Sequence, residues 1–120
     1  MSKVLLIALF SVIFMHSCYY DVQEELYPCS AGTSPTYSLN VEPVISLNCY
    51  SCHGKTTSSS GGGIILEGYE NLILKVNDNR LWCAINHESG CSPMPQGSGK
   101  LGTCALSDID QWIKNGALNN

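Results

Sequence analysis

Charge is scarce in this chain: only 13% of its 120 residues are Asp, Glu, Lys or Arg, and six basic residues face ten acidic ones. No clustered Lys/Arg stripe is present to neutralise phosphates, so nucleic acid is not an expected partner. Hydrophobic residues nevertheless make up 44%, a globular rather than a disordered balance. Long apolar runs are missing as well. The most extended one, Val4 to Met15, is too short to cross a bilayer as a helix, which takes about 20 residues. The Gly61-Gly62-Gly63 run lacks a Gly-Lys-Ser/Thr ending and no strand precedes it, which excludes a phosphate loop. A second close pair of metal-binding residues is also absent. Cys83, His87, Cys91 and Cys104 follow one another at intervals of four, four and thirteen residues, which do not repeat the Cys49/Cys52 pair as a four-ligand zinc site requires. Nor is there the strand-helix alternation that frames a thioredoxin-like dithiol.

The N-terminus speaks for export. Lys3 and the apolar run after it suit a secretory signal. Met15-His16-Ser17-Cys18 looks like a bacterial lipoprotein cleavage box, although His16 is an unusual occupant of it. Residues 1–17 are therefore expected to be a lipoprotein-type signal peptide and Cys18 a lipid anchor; the alternative for Cys18 is an ordinary free or disulfide-bonded cysteine. Residues 18–35, with Asp21, Glu24, Glu25 and two prolines, read as a tether, or as a packed N-terminal arm held by Cys29. After Cys18 about 100 residues remain, tether included, one small domain with a thin core of its own and no room for a separate catalytic domain.

What the chain has in quantity is cysteine, seven residues in all. Cys49-Tyr50-Ser51-Cys52-His53 is a Cys-x-x-Cys-His run, the attachment pattern of c-type haem. Two thiols three residues apart lie on one side of a helical turn, where each can form a thioether with a vinyl group of the same porphyrin, and the adjacent imidazole can reach the iron. A His/Met pair of axial ligands is one arrangement such iron adopts. With Met1 and Met15 in the signal, Met94 is the remaining methionine, framed by Pro93 and Pro95, which restrict its backbone. His87 is the rival axial ligand and Lys100 a weaker one. Export also permits disulfides. Cys29, Cys83, Cys91 and Cys104 allow three pairings; Cys83 with Cys91 and Cys29 with Cys104 are favoured, and Cys91 with Cys104 competes.

These residues give residues 36–120 a resemblance to a mono-haem cytochrome c domain: Cys49, Cys52 and His53 early, Met94 late, and a Trp-bearing helix last. The chain is most similar to short, lipid-anchored cytochrome c-like proteins of Bacteroidetes, which share Gly68-Tyr69 before a helix, Met94-Pro95-Gln96-Gly97, and Trp112-Ile113-Lys114-Asn115-Gly116-Ala117. The resemblance implies an all-α fold of about four helices around one covalently bound haem c, with first and last helices crossing.

The periodicity is consistent with that class. Val41, Val44, Ile45, Asn48, Cys49 and Cys52 fall on one helical face, with Pro43 tolerated in the opening turn. The helix should break at His53-Gly54, and residues 56–63 should form a mobile surface loop. Ile64 to Leu66 read as an extended segment along the haem or as a local core plug. Tyr69, Leu72, Ile73 and Val76 predict a second helix over 68–77, ended by Asn77-Asp78-Asn79. Leu81, Trp82 and Ile85 predict a short third helix ending near Asn86, with Trp82 in the core or the haem wall. The last helix is predicted to start at an N-cap on Ser107, with Asp108 and Asp110 in its first turn, Lys114 near its end and Gly116 closing it. Its stripe of Ile109, Trp112 and Ile113 should pack on Val41, Val44 and Ile45.

With His53 and Met94 on the iron no coordination position stays open, and a soft, uncharged thioether in apolar surroundings raises the reduction potential. The expectation is an electron carrier rather than an enzyme, attached to a membrane of the cell envelope on a periplasm-facing or outer-membrane surface, exchanging single electrons with redox proteins. A haem peroxidase or ligand sensor, in which Met94 gives way, is the first alternative. A disulfide-stapled binding lipoprotein without haem is the second.

Overall fold

The computed structural model describes Cys29 and residues 33–120; the expected signal peptide, Cys18 and most of the tether lie outside the described residues. Within them the secondary structure is helical and no strand occurs. A wide π-type turn at Tyr37–Val41 leads into α1 (Glu42–His53); α2 spans Tyr69–Asn77, α3 Arg80–Ile85 and α4 Thr103–Lys114. None of these helices is long and apolar enough to cross a membrane.

The expected class and helix number stand, with α2 and α3 close to their predicted limits. Asn79 takes a left-handed conformation (φ 59°) between them, as a polar turn residue can. Pro43 sits in the opening turn of α1, where its missing N–H costs nothing. Thr36 caps the preceding turn by accepting from the Leu39 N–H at 3.3 Å.

The core is built around Val41, Ile45, Leu72, Ile109 and Trp112, all essentially fully buried; burial of such side chains is worth about 1.5–3 kcal/mol each. Trp112 donates its indole N–H to the Leu118 carbonyl (2.8 Å), and Tyr69 donates to the Ala117 carbonyl (2.9 Å). Tyr37 stacks edge-on against Tyr69 and lies 5.9 Å from Trp112, centroid to centroid. The start and the end of the domain are thus clasped together.

Four expectations need correction. First, α4 begins at Thr103, four residues before Ser107, and its N-cap is Gly102. Ala105 and Leu106 pack on the core, which favours helix ahead of the polar start signal; Ser107 instead accepts from Gln111 within the helix. Asp108 and Asp110 therefore sit beyond the first turn, where Asp108 accepts from Asn40 and Asp110 pairs with Lys114. Second, Asn48 and Cys52 are exposed, not buried; the buried stripe is Val41, which closes the preceding turn, and Ile45 in α1, fading through half-buried Cys49. Third, α4 packs chiefly on the Tyr37–Val41 turn that precedes α1 rather than along α1 itself. Fourth, residues 56–63 are not one loose loop: Ser58–Gly61 forms a 3₁₀ turn folded back on α1.

The close of α4 follows its sequence signal. Gly116 has φ 97°, the left-handed value that favours glycine. The Gly116 N–H reaches the Ile113 carbonyl (3.0 Å) and the Ala117 N–H reaches that of Trp112 (2.9 Å), a complete Schellman motif with Trp112 and Ala117 as its buried apolar pair.

Candidate functional site

Of the six described cysteines, four are paired: Cys29 with Cys104 and Cys83 with Cys91. These are the two favoured pairings. Cys49 and Cys52 are left as thiols, three residues apart in the last turns of α1. Cys49 is half-buried against the core, and desolvation pushes its thiol up to about 11. A reactive thiol depends on a lowered pKa, and burial moves Cys49 the other way. Among the described residues no group of three or more His, Cys, Asp or Glu is arranged to hold a metal ion.

His53 ends α1, and its ring and backbone are both held. Its Nδ1 lies 3.1 Å from the Ile64 carbonyl oxygen. A carbonyl can only accept, so Nδ1 carries the proton and Nε2 presents a lone pair. This is how proteins orient an imidazole for a metal, by a hydrogen bond from the far ring nitrogen. The Leu66 N–H returns to the His53 carbonyl at 2.8 Å, so the Ile64–Leu66 segment brackets the residue on both its side chain and its backbone. Gly61 lies close against the same edge of the ring. A Cβ there would overlap the imidazole and the Cys52 carbonyl oxygen, so only glycine lets the 3₁₀ turn approach this closely. Gly54 and Thr57 complete the support: Thr57 Oγ1 accepts from the Gly54 N–H (3.0 Å) and donates to the Tyr50 carbonyl (2.7 Å).

Met94 lies after α3, with a cis peptide bond to Pro95. Its N–H donates to the Ala84 carbonyl at 3.0 Å, and its carbonyl accepts from His87 Nε2 at 2.9 Å. Both backbone groups are engaged, and the thioether is the part left for chemistry. His87, the rival ligand, thus has a ring nitrogen committed to the Met94 backbone. Lys100 is exposed and donates to Asn86 Oδ1 (3.3 Å). Trp82 is half-buried against the core.

The segments beside Cys49 and Met94 border an open, shallow cleft. Asn48, next to Cys49, and Pro95, next to Met94, both line it, together with Val44, Leu47, Leu101 and Ala105. The site side chains themselves are not among its walls. Leu47 is 85% exposed there, an apolar side chain with nothing over it.

Two unpaired thiols on one helical turn, an imidazole with Nδ1 bonded to a carbonyl, and a thioether on a tethered backbone are the donors a covalently held haem would need; none of the four side chains lines the cleft. Gly61 and the Ile64 carbonyl were not identifiable in the sequence. Gly61 is one of three consecutive glycines, and a carbonyl acceptor has no residue signature. No protein-family model, curated protein or solved structure matches this chain.

Proposed function

We propose that this is a lipid-anchored c-type cytochrome domain of the cell envelope that carries single electrons between redox proteins. Cys49 and Cys52 would hold one haem by adding their S–H bonds across its two vinyl groups, and His53 Nε2 and the Met94 thioether would be the axial ligands. Haem c supplies a reversible one-electron iron couple when bound. The chain supplies attachment, ligand orientation and exclusion of competing ligands. The observation that carries this reading is the hydrogen bond from His53 Nδ1 to the Ile64 carbonyl, which leaves Nε2 as the nitrogen available to a metal on the residue that directly follows Cys52, one of two unpaired thiols.

The test is the intact mass and visible spectrum of the mature protein made in a host that exports it and attaches haem. One added haem, and a sulfur-to-iron charge-transfer band in the oxidised form that disappears in Met94→Ala, are the expected results. Colourless protein with Cys49 and Cys52 free or bridged to each other would overturn the reading in favour of a haem-free binding lipoprotein. Binding of carbon monoxide to the reduced native protein would shift it to a ligand sensor or peroxidase.

A further inference from the structure

The C-terminus of α3 is built on the same plan as that of α4, with one substitution. The His87 N–H bonds the Ala84 carbonyl (3.3 Å) and the Glu88 N–H bonds that of Cys83 (2.9 Å), again a Schellman motif. The left-handed residue is His87 at φ 53°, in a position that glycine occupies without cost and a β-carbon disfavours. The imidazole has a use that glycine could not serve. Its Nε2 lies 2.9 Å from the Met94 carbonyl oxygen, and the turn of α3 just before it supplies the Ala84 carbonyl that takes the Met94 N–H at 3.0 Å. The Cys83–Cys91 disulfide joins the same helix to the same loop.

We propose that His87 is a positioning residue for Met94: it donates from Nε2 to the Met94 carbonyl and so fixes the direction in which the thioether leaves the backbone. This rests on the haem reading above. His87 never touches the iron in this scheme. It acts through the backbone of the ligand, in the way an outer hydrogen bond tunes a metal site.

Three variants of the haem-loaded protein separate this role from a plain helix cap. His87→Gly suits the left-handed backbone better than histidine and removes only the donor. His87→Ala removes the donor but keeps a β-carbon at the left-handed position, and His87→Gln retains a side-chain N–H that can reach a carbonyl. Each is compared with wild type for the charge-transfer band, the midpoint potential and the affinity of the oxidised form for added imidazole. The expectation for His87→Gly is unchanged or higher resistance to urea, a weakened band, a lower potential and imidazole affinity about tenfold higher, the size of one hydrogen bond; His87→Gln should recover part of each. A band, potential and imidazole affinity in His87→Gly equal to wild type would overturn the positioning role while leaving haem ligation by Met94 intact. Wild type with one attached haem but no sulfur-to-iron band would instead remove Met94 from the iron, and this proposal with it.

Discussion

The two sides of the candidate site are secured by different physics. Around His53 the restraint is close approach: Gly61 lies where no side chain fits, and the Ile64–Leu66 backbone bonds the imidazole and the His53 carbonyl. Around Met94 the restraint is a tether: a disulfide and two hydrogen bonds fasten a loop, otherwise without helix or strand, to the end of α3. If haem is attached as proposed, the first arrangement would hold the thiol-bearing side in place. The second would leave Met94 on a segment released when its disulfide is cut. The two sides should therefore fail independently.

The largest effect is expected from a bond that serves neither side. Cys29–Cys104 spans 75 residues, and the chain-entropy relation assigns such a loop about 4.5 kcal/mol. A Cys29→Ser/Cys104→Ser variant should lose stability of that order in urea unfolding and keep the visible spectrum of the wild type. A spectral change would mean that the start of α4 participates in the site. Next is Cys83–Cys91, whose span of 8 residues gives about 2.5 kcal/mol by the same relation. Its double serine variant should lose less stability yet weaken the sulfur-to-iron band, with the haem still attached. The ranks of the two bonds thus invert between stability and spectrum, and agreement of the ranks would erase the distinction between scaffold and tether.

On the opposite side, Gly61→Ala places a methyl group in occupied space, which costs about 1–3 kcal/mol in a packed interior. Here the expected signature is impaired haem attachment and altered His53 ligation, read by the fraction of protein carrying haem and by the Soret spectrum. Full attachment with an unchanged spectrum would show that the 3₁₀ turn yields easily and that His53 is held by Ile64 alone.

Much of this organisation was legible in the residues and some was not, for reasons that can be named. Setting aside Cys18 as a lipid anchor and Cys49 with Cys52 as a haem pair leaves four cysteines and three pairings; the two pairings observed, Cys29 with Cys104 and Cys83 with Cys91, are favoured by the sequence but not fixed by it. Gly116 was readable as a helix stop because glycine after a buried stripe has few other uses. The start of α4 was misread because Ser107 carries a capping signal that Cys104, Ala105 and Leu106 override by packing, and packing is not a local property. His87 looked like a ligand or a surface residue because its partner is a carbonyl seven positions on, and backbone acceptors leave no trace in sequence. Residues 56–63 read as a loose loop because Ser, Thr and Gly are the residues of both free loops and tight turns; what separates the cases is the imidazole that Gly61 meets.

The smallest expected effect lies beneath the His53 side, at Tyr50. Its hydroxyl donates to Glu42 (2.9 Å) and accepts from the Gly68 N–H (3.2 Å), linking α1 to the start of α2. Burial, chiefly, pushes the phenol from 10.0 up to about 12, against the lowering influence of the Gly68 N–H. Because the folded value is the higher one, the fold favours the protonated phenol. The contribution is complete below about pH 10 and drains away as pH rises towards 12. Tyr37, raised in the same direction by desolvation, adds to the same alkaline loss. Tyr50→Phe should cost about 1 kcal/mol at pH 8, the value of a hydrogen bond lost with the Gly68 donor left unpaired, and should make the unfolding midpoint less sensitive to pH between 10 and 12. Equal alkaline sensitivity in the variant and the wild type would place the titration elsewhere, with Tyr37 the first residue to replace.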